Sequence, residues 1–457
     1  RARFHVALNQ YQVSKTGFAC NHGSSNAQYS ASTWCAQTAL LATHTVDVLP
    51  HDPRDCTQGR GLTVISWHFL FLSTTDWDAP QFGSRQQIAL HLARRGHRIL
   101  FVEVPRSLHS CFTDPTGTKR AIRRLGQWRK IAEGIVAYTP FPVFPLYYCP
   151  LTNALNQRLL LRYLHHLLTA QRWQLDVLWT YWPNTAPLVA KLGERFAVYH
   201  CIDDFAAAGY PLTRRHWVAD MERDLCRKVD LVLARTEELA AARRRDNPST
   251  FLLAGGVDTD LFDPLRVSRP HPEIADLPSP RAGFVGTLDD RVDIELLVRC
   301  AQKLHDVTFV LLGPQKRHRV DSRTLESLPN VVLLPPCPHD QVPAILAGFD
   351  VCLIPYLISP YTRSLSPIKL YEYLAMGKPV VGTDLPYLHR EEARIIIAHS
   401  QDEFIAGVAA ALRETRSSEK AAWRRQAALN QSWEAQVDEI ERLLAVRMKG
   451  RYDHDYP

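Results

Sequence analysis

The sequence predicts an α/β protein made of two tandem Rossmann-like domains, and three observations carry that reading. The chain has 457 residues, 46% of them apolar, too many for one core and enough for two. Short apolar runs of strand length alternate with segments of helical apolar spacing, the βαβ pattern of a mainly parallel sheet. A stretch holding Pro264, Pro270, Pro272, Pro278 and Pro280 interrupts the alternation, which then restarts. The expected divisions are an extension over 1–62, a first domain over 63–263 and a linker over 264–280. A second domain over 281–416 follows, then a helix over 417–446 returning toward the first domain, and a tail over 447–457.

Residues 1–62 are rich in Ser, Thr, Gln, Asn and His and lack sustained apolar spacing, so they read as a poorly ordered extension or a small flap on the first domain. Order begins with the strand-like run 64–72. A loop with Gly83, Ser84 and Arg85 leads into a helix carrying Ile88, Leu92 and Ala93, stopped by Gly96, and a strand over 98–104. Open α/β sheets bind ligands at such strand-to-helix loops; a plain turn is the competing reading. The basic run 119–130 sets Ile122, Leu125 and Trp128 three apart, which suits a helix lying on an anionic bilayer or a solvated face of the domain. The aromatic, proline-broken stretch 140–150 suits an apolar acceptor, a lipid-facing loop or a buried connector. A leucine-rich helix over 156–171 and strands over 176–179 and 196–201 follow. Asp203 and Asp204, just past the last of these, are candidates for a base or an acceptor-hydroxyl contact, or else cap the next helix. Helices over 216–228 and 237–245, with strands over 230–234 and 251–253, complete this half.

In the second half, strands over 282–285 and 307–312 close on Gly286 and Gly313, with a helix over 294–304 between them. Gly286 would let the backbone approach a phosphate, and Arg291 could neutralise it or simply begin a surface helix. Strands over 331–334 and 351–355 flank a helix over 341–347. Then comes SLSPIKLYEYLAMGKPVVGT, residues 364–383. Ser366 suits an N-cap and Pro367 the first helical position. Leu370, Tyr371 and Leu374 can face a core, Gly377 ends the helix, and 378–382 reads as a strand. A helix start offers unpaired N–H groups and a positive dipole end, and Lys369 adds a full charge. Glu372 shares the face of Lys369, roughly 9 Å from the cap, near enough for one helix to read both the diphosphate and the ribose of a sugar nucleotide. The competing reading is an ordinary capped helix with a Lys/Glu pair.

Net charge is +7, from 54 basic and 47 acidic side chains, which fits an acidic substrate or an anionic membrane surface and equally an Arg-rich cytosolic protein. Nothing points to nucleic acid. Ten scattered cysteines without a C-x-x-C pair argue for reduced thiols and against a zinc site. No apolar run reaches the length of a membrane span, and no signal-peptide pattern is present. The expected location is cytoplasmic, peripheral on the inner face of a membrane.

The segment SPIKLYEYLAMGKPVV, together with DAPQFGSRQQIALHLARRGHRILFVE, YHCIDDF, GGVDTDLF, GFVGTLDDRVD and LAGFDVCLIPY in that order, resembles the group 1 (family 4) GT-B glycosyltransferases. The resemblance covers about residues 64–446. It implies two Rossmann-like domains facing each other across a cleft, the donor on the second and the acceptor on the first. By it, Glu372 would bind the ribose, while Gly286, Arg291, Gly313, Ser366, Pro367, Ile368 and Lys369 would hold the diphosphate. Arg291 and Lys369 would stabilise charge growing on the leaving group, with Asp203 and Asp204 as further catalytic candidates and Gly83, Ser84 and Arg85 on the acceptor side. The chain departs from its relatives at Ser364, where many carry a second glutamate, at the loop after Gly286, which is shorter, and at Gly83, where many have two glycines. No metal site and no cofactor are expected beyond a nucleotide-diphosphate sugar as co-substrate; the expected partner is a glycan or lipid-linked acceptor. The alternatives are a nucleotide-sugar epimerase of the same fold and a non-catalytic sugar-nucleotide-binding protein, the latter kept open by Ser364.

Overall fold

A strand buried on both faces must be apolar throughout, and HFLFL satisfies this: it forms β1 (His68–Leu72), fully buried beyond its first residue. The computed structural model describes residues 66–79, 82–107, 115–141, 143–144, 149–206, 212–316, 323–414 and 417–455, so the extension expected over 1–62 lies outside the described residues. From β1 the chain passes through α1 (Ser84–Arg94) to β2 (Arg98–Val102), α2 (Pro115–Arg123), β3 (Trp128–Ala132) and β4 (Ile135–Tyr138). It continues through α3 (Pro150–Ala170), β5 (Val177–Thr180), β6 (Phe196–Cys201), α4 (Leu212–Lys228), β7 (Leu231–Ala234), α5 (Glu237–Arg244) and β8 (Thr250–Leu252). These strands form one sheet in the order β3-β4-β2-β1-β5-β6-β7-β8, parallel except where β3 runs antiparallel to β4. Separate apolar clusters cover its two faces, one around Phe71, Trp179 and Ile88, the other around Tyr138, Leu164 and Leu225.

The second lobe holds β9 (Arg281–Val285), α6 (Ile294–Lys303), β10 (Thr308–Leu312), β11 (Val331–Leu334), α7 (Val342–Ala347) and β12 (Val351–Ile354). After these come α8 (Lys369–Ala375), β13 (Val380–Thr383), β14 (Ile396–Ala398) and α9 (Gln401–Arg413). Its sheet is parallel, in the order β11-β10-β9-β12-β13-β14. In each sheet the strand order reverses beside its first strand, between β1 and β5 and between β9 and β12. Such switch points open a crevice at the carboxyl ends of the strands.

The structure corrects several expectations. The basic run 119–130 is not one helix. α2 stops at Arg123, Gly126 turns the chain at φ +71°, and Trp128 starts a strand. Trp128 packs on Tyr138 (5.6 Å), Arg129 binds Glu103 (2.5 Å) and Asp78 (3.0 Å), and Arg124 binds Asp78. These groups serve the lobe's own structure, so Ile122, Leu125 and Trp128 do not share one helix face. The helix expected over 417–446 is two helices, α10 (Ser418–Leu429) and α11 (Trp433–Asp455), and the expected tail largely continues α11. The β3–β4 hairpin and β14 had no assigned strand in the sequence reading. Among the described residues no helix is long and apolar enough to cross a membrane.

The two helices at the chain's end serve different lobes. α10 packs on the second: a Cβ placed on Gly377 would lie 2.9 Å from Ala421 Cβ. Trp433, Val437, Ile440, Leu443 and Leu444 of α11 join the core of the first lobe. Arg95, just past the end of α1, reaches Glu441 and Asp438 of α11, each at 2.6 Å. The break between the two helices sits against GGV at 255–257. Val257 N–H donates to Gln431 O (2.9 Å), Trp433 N–H donates to Val257 O (3.2 Å), and a Cβ on Gly256 would stand 2.7 Å from the Trp433 ring. Both crossings between lobes therefore run side by side.

Candidate active site

On the second lobe, β9 and β10 end in glycines that no other residue could replace without strain. Gly286 has φ +154° and Gly313 φ +142°, and a Cβ on Gly313 would lie 2.2 Å from Gly286 O. The space over Gly286 belongs to Lys369, whose Nζ would be 2.5 Å from a Cβ there. That ammonium lies over the rings of Phe284 (4.0 Å) and Tyr356 (4.9 Å) and donates to Tyr356 Oη at 2.8 Å. Among the described residues it has no carboxylate partner within ion-pair reach. An ammonium held only by ring faces and one neutral hydroxyl retains most of its capacity to attract an anion.

Glu372 follows on α8. Its Oε1 meets His339 Nε2 at 3.1 Å, and the His339 ring stands edge-on to Phe262 (5.3 Å). Burial works to lower the His339 pKa, but the hydrogen bond and charge of Glu372, with Asp258 and Asp340 beyond, hold it above its ordinary value. His339 thus fixes one carboxylate oxygen and leaves the other to accept a hydroxyl. The sequence reading missed His339. Its signal was a lone histidine in a polar loop ahead of α7, with nothing in the local pattern to tie it to a residue 33 positions on.

The expected cap is corrected. Ile368, not Ser366, occupies the cap position, in helical backbone (φ −53°, ψ −36°), with no side chain capping the helix. Leu370 N–H donates to Pro367 O (3.0 Å) and Tyr371 N–H to Ile368 O (3.1 Å), so a tight turn at Pro367 opens α8. Ser366 is turned inward, buried beside the Tyr387 hydroxyl. Ser364, at the position of the missing glutamate, donates to Tyr361 O (2.8 Å) and closes a local turn. Arg291 is also not a free cation: it grips Asp289 through Nε (2.8 Å) and Nη2 (2.7 Å). Burial alone would raise the Asp289 pKa, yet that paired guanidinium holds it below the ordinary carboxylate range.

Across from these groups, four neighbouring strands of the first sheet each deliver one side chain: Arg85 after β1, Tyr181 after β5, Asp203 after β6 and Arg235 after β7. Arg85 lies over the Tyr181 ring at 5.5 Å. Burial pushes the Asp203 pKa up, against the fields of Arg235, Arg85 and Arg291, while Asp204 alongside adds like charge. Asp203 and Arg291 come from different lobes, as do Gly255 and Ile368, whose Cγ1 would be 3.5 Å from a Cβ on that glycine. Gly83 and Ser84 begin α1 just ahead of Arg85; Gly83 N–H donates to Gln86 Oε1 (3.3 Å) and Ser84 is buried. A pocket lies at the ends of β1 and β2, lined by Leu72, Val102, Arg106, Pro140, Val143 and Trp182 among others. Trp182 stacks on Phe205 at 6.3 Å, next to Asp204.

A cation over a glycine-ended strand and an acid one turn along can attract an anion and accept a hydroxyl side by side. Residues 279–414, the lobe carrying Lys369 and Glu372, match the family described as glycosyl transferases group 1. The chain is a glycosyltransferase. This transferase is 24% identical over 288 residues to TuaH of Bacillus subtilis (strain 168), a candidate teichuronic acid biosynthesis glycosyltransferase, covering 59% of the present chain and 72% of TuaH. Its fold is that of sucrose-phosphate synthase from Thermosynechococcus elongatus (TM-score 0.64, 17% identity, 84% of this chain and all of that one). It is also that of HepE from Anabaena in complex with UDP (TM-score 0.55, 14% identity, 84% and 100%). An α,α-trehalose-phosphate synthase (UDP-forming) from Burkholderia vietnamiensis shares it too (TM-score 0.61, 12% identity, 85% and 98%). The transferase is thus a GT-B protein with two Rossmann-like lobes.

Proposed function

We propose that the chain moves a sugar from a nucleoside-diphosphate sugar on its second lobe to a hydroxyl of a cell-envelope or lipid-linked glycan on its first, without a metal ion. One observation carries the donor reading: the unpaired Lys369 ammonium sits over Gly286, and Glu372 waits along the same helix with one oxygen held by His339. The diphosphate would lie against Lys369 and the glycine-ended strands, and the free Glu372 oxygen would accept a ribose hydroxyl. As the glycosidic bond to the diphosphate breaks, negative charge grows on the leaving oxygens, where a fixed ammonium lowers the barrier. Asp203, whose raised pKa suits a base, faces that region from the opposite lobe. The pocket beside Trp182, walled by Pro140 and Val143 of the aromatic loop, supports an acceptor with an apolar portion.

HepE has been solved with UDP and with UDP-glucose, so UDP is the nucleotide to try first. Calorimetric titration with UDP and a transfer assay from UDP-sugars onto envelope extracts test the reading. Binding and transfer are expected, and transfer is expected to persist in excess chelator. Absence of binding to any nucleoside diphosphate would refute the donor site, and loss of turnover on chelation would refute metal independence alone.

A further inference from the structure

The first lobe places two guanidinium groups along the carboxyl edge of its sheet, and among the described residues neither has a side-chain hydrogen bond or an ion pair. Arg85 and Arg235 come from strand ends on either side of β5 and β6, close enough for each to repel the other's charge. The Nε of each is buried and unpartnered, as is Nδ1 of His200, which both arginines face. Burial lowers the Arg85 pKa to about 10, while the Tyr181 ring and the charge of Asp203 partly compensate. The field of Asp203 reaches both, and a single carboxylate balances only one of them. Arg291, the other cation near Asp203, is already matched by Asp289. One positive charge and several aimed N–H donors are therefore left over. The cost of holding them buried is large unless an anion completes the set.

We propose that Arg85 and Arg235 form a seat for a phosphoryl group on the first lobe. A planar guanidinium suits a phosphate, offering paired donors to its oxygens, and two of them at an angle can grip one group from two sides. The seat lies beside the cleft: Arg235 Nη2 would be 3.8 Å from a Cβ on Gly255, and Ile368 of the donor lobe would lie 3.5 Å from the same point. Two sources of phosphate fit this place, a phosphate borne by the acceptor and the donor's own diphosphate. Only the naming of these sources rests on the transferase reading; the seat itself stands on the two arginines.

The test follows thermal melting of the full chain with inorganic phosphate, with and without saturating UDP, for the native protein and for Arg85→Gln and Arg235→Gln. A ligand that binds only the folded state raises Tm. For an acceptor phosphate, phosphate raises Tm of the UDP-saturated native protein, each variant loses most of that rise, and UDP affinity changes less than about threefold. For a donor phosphate, each variant weakens UDP tenfold or more and phosphate acts only without UDP. Unchanged phosphate response and UDP affinity in both variants overturn the seat. Removing one of two mutually repelling charges should leave the ligand-free Tm equal or higher, so a clear fall shared by Arg85→Gln and Arg235→Gln assigns the pair a structural role and also overturns it. Failure of the native protein to bind UDP refutes the donor reading, while the phosphate arm without UDP still judges the seat.

Discussion

At the scale of single residues, the donor site rests on two unlike charges on one short helix. Lys369 is held by rings and a hydroxyl, so an anion is its natural counter-charge. Glu372 is held by His339 on one oxygen only. Lys369→Ala and Glu372→Ala are each expected to raise the Kd for UDP about tenfold or more, roughly 1.4 kcal/mol per decade; calorimetry showing unchanged affinity in both would reject the assignment. His339 adds a pH dependence with a definite sign. Its folded-state pKa lies above the unfolded value because Glu372 favours the charged ring despite burial. Its stabilising contribution is then complete below the unfolded pKa and fades as pH rises through the folded one. His339→Gln should lower Tm more at pH 5.5 than at pH 8.5, and an equal loss at both would contradict the ion pair.

At the scale of elements, the strand ends decide how close a ligand can come. The β9 and β10 strands finish on glycines so tightly juxtaposed that Gly286 and Gly313 form one backbone surface beneath Lys369. Gly313→Ala would force both a disfavoured φ and a collision with Gly286 O. It should cost about 2–4 kcal/mol, read as a fall in the denaturation midpoint and accompanied by loss of UDP binding. The strand ends on the first lobe work differently. They are not stripped bare but carry Arg85, Tyr181, Asp203 and Arg235, one per neighbouring strand. A buried trio below them anchors β6 to α4 and α5: Tyr199 Oη donates to Glu222 (2.6 Å), and Arg243 pairs with the same carboxylate (2.8 Å). That trio explains why YHC in the middle of the sheet tolerates a buried acid nearby without a role in the cleft.

At the scale of the whole molecule, α11 ties the end of the chain to the first lobe. Trp433, Val437, Ile440, Leu443, Leu444 and Met448 are buried against the first lobe. At about 1.5–3 kcal/mol each they contribute on the order of 10 kcal/mol, comparable to the typical total stability of a domain. A chain ending at Asn430 should therefore leave the first lobe unfolded or insoluble, while a soluble, cooperatively melting product would contradict that estimate. The sequence by itself determined the alternation, the two sheets and the strand ends at Gly286, Gly313 and Asp203, because apolar period and glycine punctuation are local properties. It misjudged the basic run and the Ser366 cap for the same reason. Helical spacing at 122, 125 and 128 could not reveal that Trp128 pairs in a strand against Tyr138, nor a favourable cap residue that its side chain turns toward Tyr387. Only the tertiary structure joined His339 to Glu372, occupied Arg291 with Asp289, broke the last helix at Trp433 and brought Arg85 beside Arg235. Those pairings span gaps in the chain or depend on side-chain direction, and no periodicity records either.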